Sequence, residues 1–349
     1  MPEGNTPVAS SLQTTFAKTA MSRRSFLKGT GASAAGLAAA GFPFPVARAT
    51  AGDKGEFAMN IGITVPATQE TKNMAEIAHR VEALGFESLW IGEHPVIPVA
   101  FNRQLPGGDI LPEHYNRWAD PFIALSIAAT ATKRLKLATG ICLLPERDTL
   151  MTAKVIASLD MYSGGRVILG VGGGWVKEET EIMGTKFRLR WKRLQETVEA
   201  MRILWTHPKP SYQGELVQFP PVYCDPKPVQ KSGPPILLGG HTPKALERVA
   251  RTYDGWCPLT NDPADYKKKV EIIRQKAKEA GRNPEALQMT ALVDPQNGAL
   301  SADTLKAFRE AGASRIVFFS QPFVQEIATG NALGCIDRVA PILERAQKI

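Results

Sequence analysis

The chain has little of what hydrolytic and metal-dependent enzymes need. Its 349 residues include four cysteines and five histidines, and neither set forms an array. Cys142, Cys224, Cys257 and Cys335 stand far apart without a Cys-x-x-Cys pair, which excludes a zinc ribbon, a thioredoxin-like redox motif and a dense disulfide framework. Buried free thiols are expected instead. There is no His-x-His, no His-x-x-Glu-His and no Asp/His cluster at ligand spacing, so no metal is expected. A Gly-x-Ser-x-Gly elbow is missing, and serine chemistry goes with it. No Lys/Arg block with interleaved aromatics speaks for nucleic acid. No stretch approaches the roughly 20 consecutive apolar residues that span a bilayer, so stable membrane insertion is not expected. With side-chain nucleophiles and metal ligands both lacking, a bound cofactor has to supply the reactivity.

What is present begins at the N-terminus. Ser22-Arg23-Arg24-Ser25-Phe26-Leu27-Lys28 precedes a weakly apolar run, Gly29 to Phe42, and then Ala47-Arg48-Ala49. Paired arginines, an aromatic and a leucine at fixed offsets, and a small-x-small cleavage site together read as a twin-arginine (Tat) export signal over residues 1–49. The Tat translocation machinery is then a partner, the periplasm or cell envelope the destination, and residues 50–349 the mature domain. That route carries proteins already folded, often with a cofactor in place. The signal holds five basic residues against one acid, so its removal lowers the formal charge from +8 to about +4.

The mature chain alternates. Short apolar runs recur at Asn60–Val65, Glu87–Ile91, Lys136–Leu143, Arg166–Val171, Ile236–Leu238, Gly255–Cys257, Gln288–Val293 and Arg315–Phe319. They are apolar on both faces, as buried parallel strands are. Amphipathic helices lie between them, with stripes such as Met74, Ile77, Ala78, Val81 and Leu84, or Leu194, Val198, Met201 and Trp205. Eight strand–helix units give an α/β fold with the count of a TIM (β/α)8 barrel, although a doubly wound open sheet alternates in the same way. Two stretches exceed minimal barrel spacing: residues 92–118 after the second strand, and the proline-rich 207–235 before the fifth, where Tyr212–Phe219 reads as a small hairpin. The apolar segment Pro95–Phe101 either shapes a greasy pocket or packs on the barrel, with packing favoured.

In a barrel the chemistry gathers at the C-terminal strand ends. Those positions carry Glu93-His94, Thr139-Gly140-Ile141 with Arg147 downstream, Gly172-Gly173-Gly174-Trp175, and Gly239-Gly240-His241-Thr242. Gly239-Gly240 leads into a helix capped by Thr242, which either holds a phosphate on free N–H groups or is simply a tight turn. Gly172-Gly173-Gly174 lacks the Lys-Ser/Thr of a nucleotide P-loop and suits the close approach of a flat ring. Glu93 and His94 are a candidate proton-transfer pair, yet neighbours at a strand end point to opposite sides.

In order and spacing, these segments resemble the luciferase-like flavin and deazaflavin oxidoreductases. The matching string runs through Leu159-Asp160, Ser163-Gly164-Gly165-Arg166-Val167, Leu169-Gly170-Val171-Gly172 and Trp175 with Glu178-Glu179, then Gly184, Phe187, Arg190 and Arg193-Leu194. Pro234-Pro235-Ile236 with Gly239-Gly240 and Ala245-Leu246 completes it. The look is nearest to the subgroup that uses coenzyme F420. The resemblance implies a non-prolyl cis peptide at Gly140–Ile141 or one bond earlier, a ring against Thr139, Gly140, Ile141, Arg147, Gly172, Gly173 and Gly174, and a phosphate at Gly239, Gly240 and Thr242. It implies catalysis at His94 and Glu93, and hydride transfer between F420 and a small organic substrate (an alcohol, carbonyl or activated alkene). Trp175 stands where sugar-phosphate dehydrogenases of the family carry an acid, which makes it a substrate-pocket residue of a more apolar site. FMN with dioxygen, as a monooxygenase, is the alternative cofactor reading, and a non-catalytic ligand-binding barrel the alternative of a different class. Lys244 and Arg248 are candidates for the anionic tail of F420. A homodimer, formed through helices on one side of the barrel, is a further implication.

Overall fold

Ten strands and the helices between them are seen in the computed structural model, which describes residues 59–102, 104, 108, 110–294, 300–319, 321–346 and 348. The expected export signal lies outside the described residues. The strands are β1 (Asn60–Thr64), β2 (Ser88–Ile91), β3 (Lys136–Cys142), β4 (Val167–Val171), β5 (Tyr212–Gln213), β6 (Gln218–Phe219), β7 (Ile236–Leu238), β8 (Gly255–Trp256), β9 (Gln288–Val293) and β10 (Arg315–Phe318). Eight of them close into a parallel barrel in the order β1-β2-β3-β4-β7-β8-β9-β10, and β1 pairs with β10 to complete it. That closure decides for the TIM barrel against the open sheet. The antiparallel pair β5 and β6 is the hairpin expected in the long segment before the fifth barrel strand.

Every residue of β2, β4 and β7 is buried, because helices cover one side and the barrel interior fills the other. Alternation along β2 divides the core: Leu89 and Ile91 belong to the layer under the helices, Trp90 to the interior cluster with Ala138, Ile168, Leu237, Cys257, Leu292 and Val317. Trp90 is too large for an ordinary barrel layer, and glycines make room for it. A Cβ on Gly62 would stand 2.9 Å from its Nε1, one on Gly140 3.1 Å from its Cε3, and one on Gly170 3.2 Å from its Cζ3. Its indole N–H donates to Ser88 Oγ at 2.8 Å, so the buried donor is satisfied.

The helices bury the expected stripes: Met74, Ile77, Ala78 and Val81 in Met74–Leu84, and Leu194, Val198, Met201 and Trp205 in Arg190–Thr206. Burying each of the larger aliphatic side chains here contributes about 1.5–3 kcal/mol. Asp120, Asp148 and Thr242 cap the helices Pro121–Ala131, Thr149–Ser163 and Pro243–Thr252, fixing where the chain turns from strand into helix. Arg166 donates to the carbonyls of Ala129 and Leu135 and to Thr132 Oγ1, closing the end of Pro121–Ala131. Asp160 accepts the N–H groups of Val229 and Gln230 and so fastens the proline-rich segment. The strings around Asp160 and Arg166 are therefore scaffold. Pro95–Phe101 packs only in part: Ile97, Pro98 and Phe101 are half-buried, while Val99 is 98% exposed and Val96 is exposed as well. Two prolines within four residues, Pro95 and Pro98, remove the N–H groups that would tie this stretch to the barrel. All four cysteines are free and buried. Among the described residues no helix is long and apolar enough to cross a membrane.

Candidate active site

Beyond the end of β2 the chain sends Glu93 and His94 to different neighbours. Glu93 is buried; its Oε2 accepts the N–H of Leu143 at 2.8 Å and its Oε1 binds Arg147. Arg147 also reaches Asp120, the cap of Pro121–Ala131, and its guanidinium lies 4.8 Å from the Phe122 ring. Burial works against the Arg147 charge, but Glu93 and then Asp120 outweigh it and raise the guanidinium above its ordinary value. The fork of Arg147 is thus occupied by two carboxylates of its own chain.

His94 turns the other way. Its Nδ1 is 2.7 Å from Oε2 of Glu179, on the short helix Lys177–Ile182. The Glu179 side chain is wholly buried and that of His94 is 7% exposed. A carboxylate at Nδ1 holds the proton there and leaves Nε2 as the nitrogen open to exchange. The imidazole sits among aromatics: Tyr115 at 5.3 Å, Trp175 at 5.8 Å and Trp118 at 6.4 Å between ring centroids. Gly92 admits Trp118, since a Cβ there would stand 2.4 Å from Cζ3. A cavity of about 380 Å³ lies alongside, lined by His94, Glu93, Trp118, Glu146 and Arg147 among others.

A third glutamate completes this region. Glu146, on the turn Leu144–Glu146 after β3, accepts Thr180 Oγ1 at 2.8 Å through Oε1, while its Oε2 has no partner. Burial raises its carboxyl, Glu179 and Glu93 add to that, and the Thr180 hydroxyl offsets only part, leaving it at about 8. Oε1 of Glu179 also lacks a partner.

The glycine positions meet on the other side of the mouth. The Gly140–Ile141 peptide is cis, as the family resemblance implied, and the β3–β4 register breaks between Thr139 and Cys142. Thr139 Oγ1 donates to Gly170 O at 2.7 Å within that irregularity. Gly140 faces Trp90, whereas Ile141 Cδ1 reaches the mouth, 2.2 Å from where a Cβ on Gly172 would stand and 3.5 Å from one on Gly239. Gly173 and Gly240 share Trp191, 3.3 Å and 4.0 Å from their absent Cβ atoms. Gly174, at φ +74, leaves space that Glu146 Oε1 fills. Arg190 donates to Gly174 O at 3.3 Å and stacks on Phe187, and Arg248 lies 4.9 Å from the Trp191 ring. Thr242 spends its hydroxyl on the N–H of Ala245, and Gly240 O accepts Trp256 Nε1. The N–H groups of Gly240, His241 and Lys244 meet no protein acceptor among the described residues.

These features fit a flat, phosphate-bearing cofactor. The absent side chains of Gly172 and Gly173 make room for Ile141 and Trp191, whereas a Cβ on Gly239 or Gly240 would meet nothing closer than 3.5 Å, and open N–H groups at the start of Pro243–Thr252 suit an anion. The structure joins Ile141, Gly172 and Gly239 in one place and His94 with Trp175 in another, and it gives Glu93 and Arg147 to each other. Sequence reasoning missed Glu146, Glu179 as the partner of His94, Tyr115, Trp118 and Trp191. Glu178-Glu179 entered the matching string as a pair, and burial singles out Glu179, since Glu178 and Glu181 are exposed.

Comparison with known proteins agrees. Residues 56–315 match the model of the luciferase-like monooxygenase family. An uncharacterised protein of Mycobacterium tuberculosis is 34% identical over 265 residues, 74% of this chain and 91% of that one. Among solved structures, an F420-dependent secondary alcohol dehydrogenase in complex with an F420-acetone adduct superposes with a TM-score of 0.63 at 19% identity, covering 82% of this chain and 99% of that one. The oxygenating constituent of 3,6-diketocamphane monooxygenase from Pseudomonas putida, in complex with FMN, gives 0.55 at 18% identity over 71% of this chain and 70% of that one. At such identities the two structures speak for the fold, while the family match speaks for descent: the chain belongs to the luciferase-like monooxygenase family.

Proposed function

We propose that the protein is an exported oxidoreductase that moves a hydride between coenzyme F420 and a small alcohol, carbonyl or activated alkene. The observation that carries this reading is the His94–Glu179 pair enclosed by Tyr115, Trp118 and Trp175. The bound deazaflavin would supply or accept the hydride. Ile141, Gly172, Gly173, Gly239 and Gly240 would hold its ring, and the N–H groups of Gly240, His241 and Lys244 its phosphate. Lys244 and Arg248, on the helix Pro243–Thr252, stand where an anionic tail would find cations.

Hydride transfer to a carbonyl leaves an alkoxide that needs a proton, and the reverse reaction needs a base for the hydroxyl. His94 Nε2 fills both roles. Glu179 keeps the Nδ1 proton in place and stabilises the imidazolium that forms. The three aromatic rings exclude water from the developing charge and shape an apolar substrate pocket in which Trp175 replaces an acid. Export through the Tat pathway belongs to the same proposal, because a folded domain holding its cofactor is what that pathway moves. So does a homodimer: Ile123 and Ile127 on Pro121–Ala131, and Met151 on Thr149–Ser163, are exposed apolar residues on neighbouring helices.

The test is an anaerobic assay that follows oxidised F420 spectroscopically while secondary alcohols are added, in parallel with oxygen uptake in the presence of FMNH₂. Alcohol-dependent loss of the oxidised chromophore is expected. Oxygen uptake coupled to substrate with FMNH₂, and no reaction of F420, would replace it with the monooxygenase reading.

A further inference from the structure

Glu146 lines two cavities: the one beside His94, and a second of about 550 Å³, an ordinary volume for a small-molecule site. The second takes its walls from the turn Leu144–Glu146, the segment after the helix Lys177–Ile182, the first turn of Arg190–Thr206, and Leu216 between β5 and β6. Its chemistry is cationic. Lys186, Arg188, Arg190, Lys192 and Arg193 stand within eight residues without an acid, and Lys186 and Arg193 line the cavity. Among the described residues Lys186 has no ion pair. Arg193 spends Nη1 on the Leu216 carbonyl, and its Nε is buried without a partner. Arg147, also in the wall, is already held by Glu93 and Asp120. Against these cations stand Asp148, which caps the helix Thr149–Ser163, and Glu146 itself.

Glu146 is 1% exposed; Thr180 Oγ1 answers its Oε1, and its Oε2 has no partner. An ionised carboxylate there would repel an anion. Burial first, and then Glu179, keep this carboxyl protonated up to about pH 8, so it presents an O–H instead. A buried O–H without an acceptor, in the wall of a cavity whose cations lack counter-charges, is the complement of an oxyanion. We propose that this cavity is an oxyanion site, which takes a carboxylate or phosphate on Lys186, Arg193 and the O–H of Glu146. The site goes beyond the oxidoreductase reading and stands without it. Glu146, Arg147, Asp148 and Met183 line both cavities, so the anion is either the acid end of a substrate that reaches from the pocket beside His94 or a separate small ligand one wall away. The charged and titratable groups around Glu146 are Glu179 from the helix Lys177–Ile182, Glu93 and His94 from the loop after β2, and Asp120 from the cap of Pro121–Ala131. Arg147 and Asp148 follow along its own segment, and Lys186 and Arg193 stand across the larger cavity.

Calorimetric titration of the full chain with sulfate, whose charge is constant over the range used, tests this at fixed ionic strength. Wild type should bind sulfate saturably, with affinity falling about tenfold between about pH 7 and about pH 9 as Glu146 ionises. Glu146→Gln keeps a donor that cannot ionise, and its affinity should be level across that range. Lys186→Glu should weaken binding about tenfold or more. Lys267→Glu, the same change of charge on the helix Pro263–Glu279, should leave it within about twofold. No saturable binding, a level wild-type profile, or equal losses in the two lysine variants would overturn the proposal. So would a loss confined to Lys244→Glu, which would assign the sulfate to the start of Pro243–Thr252. Sulfate that competes with alcohol in the F420 assay gives the anion to the substrate, and sulfate that binds without competing gives it to a separate ligand.

Discussion

Glu196, on the helix Arg190–Thr206, and Glu146, on the turn after β3, are 7% and 1% exposed, yet their surroundings treat them in opposite ways. Glu196 accepts the N–H groups of Glu215, Leu216 and Val217, pinning the hairpin of β5 and β6. Burial alone would raise its carboxyl, but those donors outweigh burial and hold it below the ordinary value. Glu146 has one hydroxyl and two neighbouring acids, and is pushed up to about 8. Asp160 and Glu82 likewise accept backbone N–H groups, each from a loop it anchors. The contrast separates scaffold from site. A buried acid that builds the fold is given donors. An acid left short costs about 1–3 kcal/mol, and Glu146 carries that cost at the edge of the cavity beside His94.

Four substitutions break or sharpen that contrast. His94→Asn removes the exchanging nitrogen and should lower kcat by about 10²–10⁴-fold, with Tm and cofactor affinity close to wild type. Arg147→Met strips the buried Glu93 of its counter-charge and should cost about 3–5 kcal/mol in urea unfolding, most of it regained when Glu93→Gln is added. Glu196→Gln should cost about 1–3 kcal/mol at neutral pH. Because the folded value of Glu196 is depressed, its stabilisation is present above the unfolded value near 4.5 and disappears as pH falls through the folded one. The two Tm curves should therefore converge in acid, whereas Glu146→Gln, at a carboxyl raised to about 8, should part from wild type as pH rises from about 4.5 to about 8. Gly239→Val adds bulk where the nearest atom to a Cβ is 3.5 Å away, so the fold should stand while cofactor affinity drops about tenfold, or 1.4 kcal/mol.

Much of the barrel was legible because buried parallel strands write themselves as short runs apolar on both faces. Each expected run contains its observed strand, with ends moved by a residue at most, from Asn60–Thr64 to Arg315–Phe318. Helix stripes and the Thr242 cap followed from periodicity and turn chemistry in the same way. The site was legible only as a set of positions. His94 and Glu179 are 85 residues apart, and periodicity carries no trace of a contact at that range. The resemblance placed a ligand ring against Gly140, whereas the ring that Gly140 makes room for is Trp90 of the protein itself. Pro95–Phe101 looked like packing material because composition alone does not reveal which apolar residues find a partner.

The central claim, a cofactor cradle served by His94, is tested most directly by fluorescence titration of wild type and His94→Asn with F420 and FMN side by side. The account predicts that both proteins bind F420 with similar affinity and that only the wild type turns over. Failure of the wild type to bind either cofactor would contradict it.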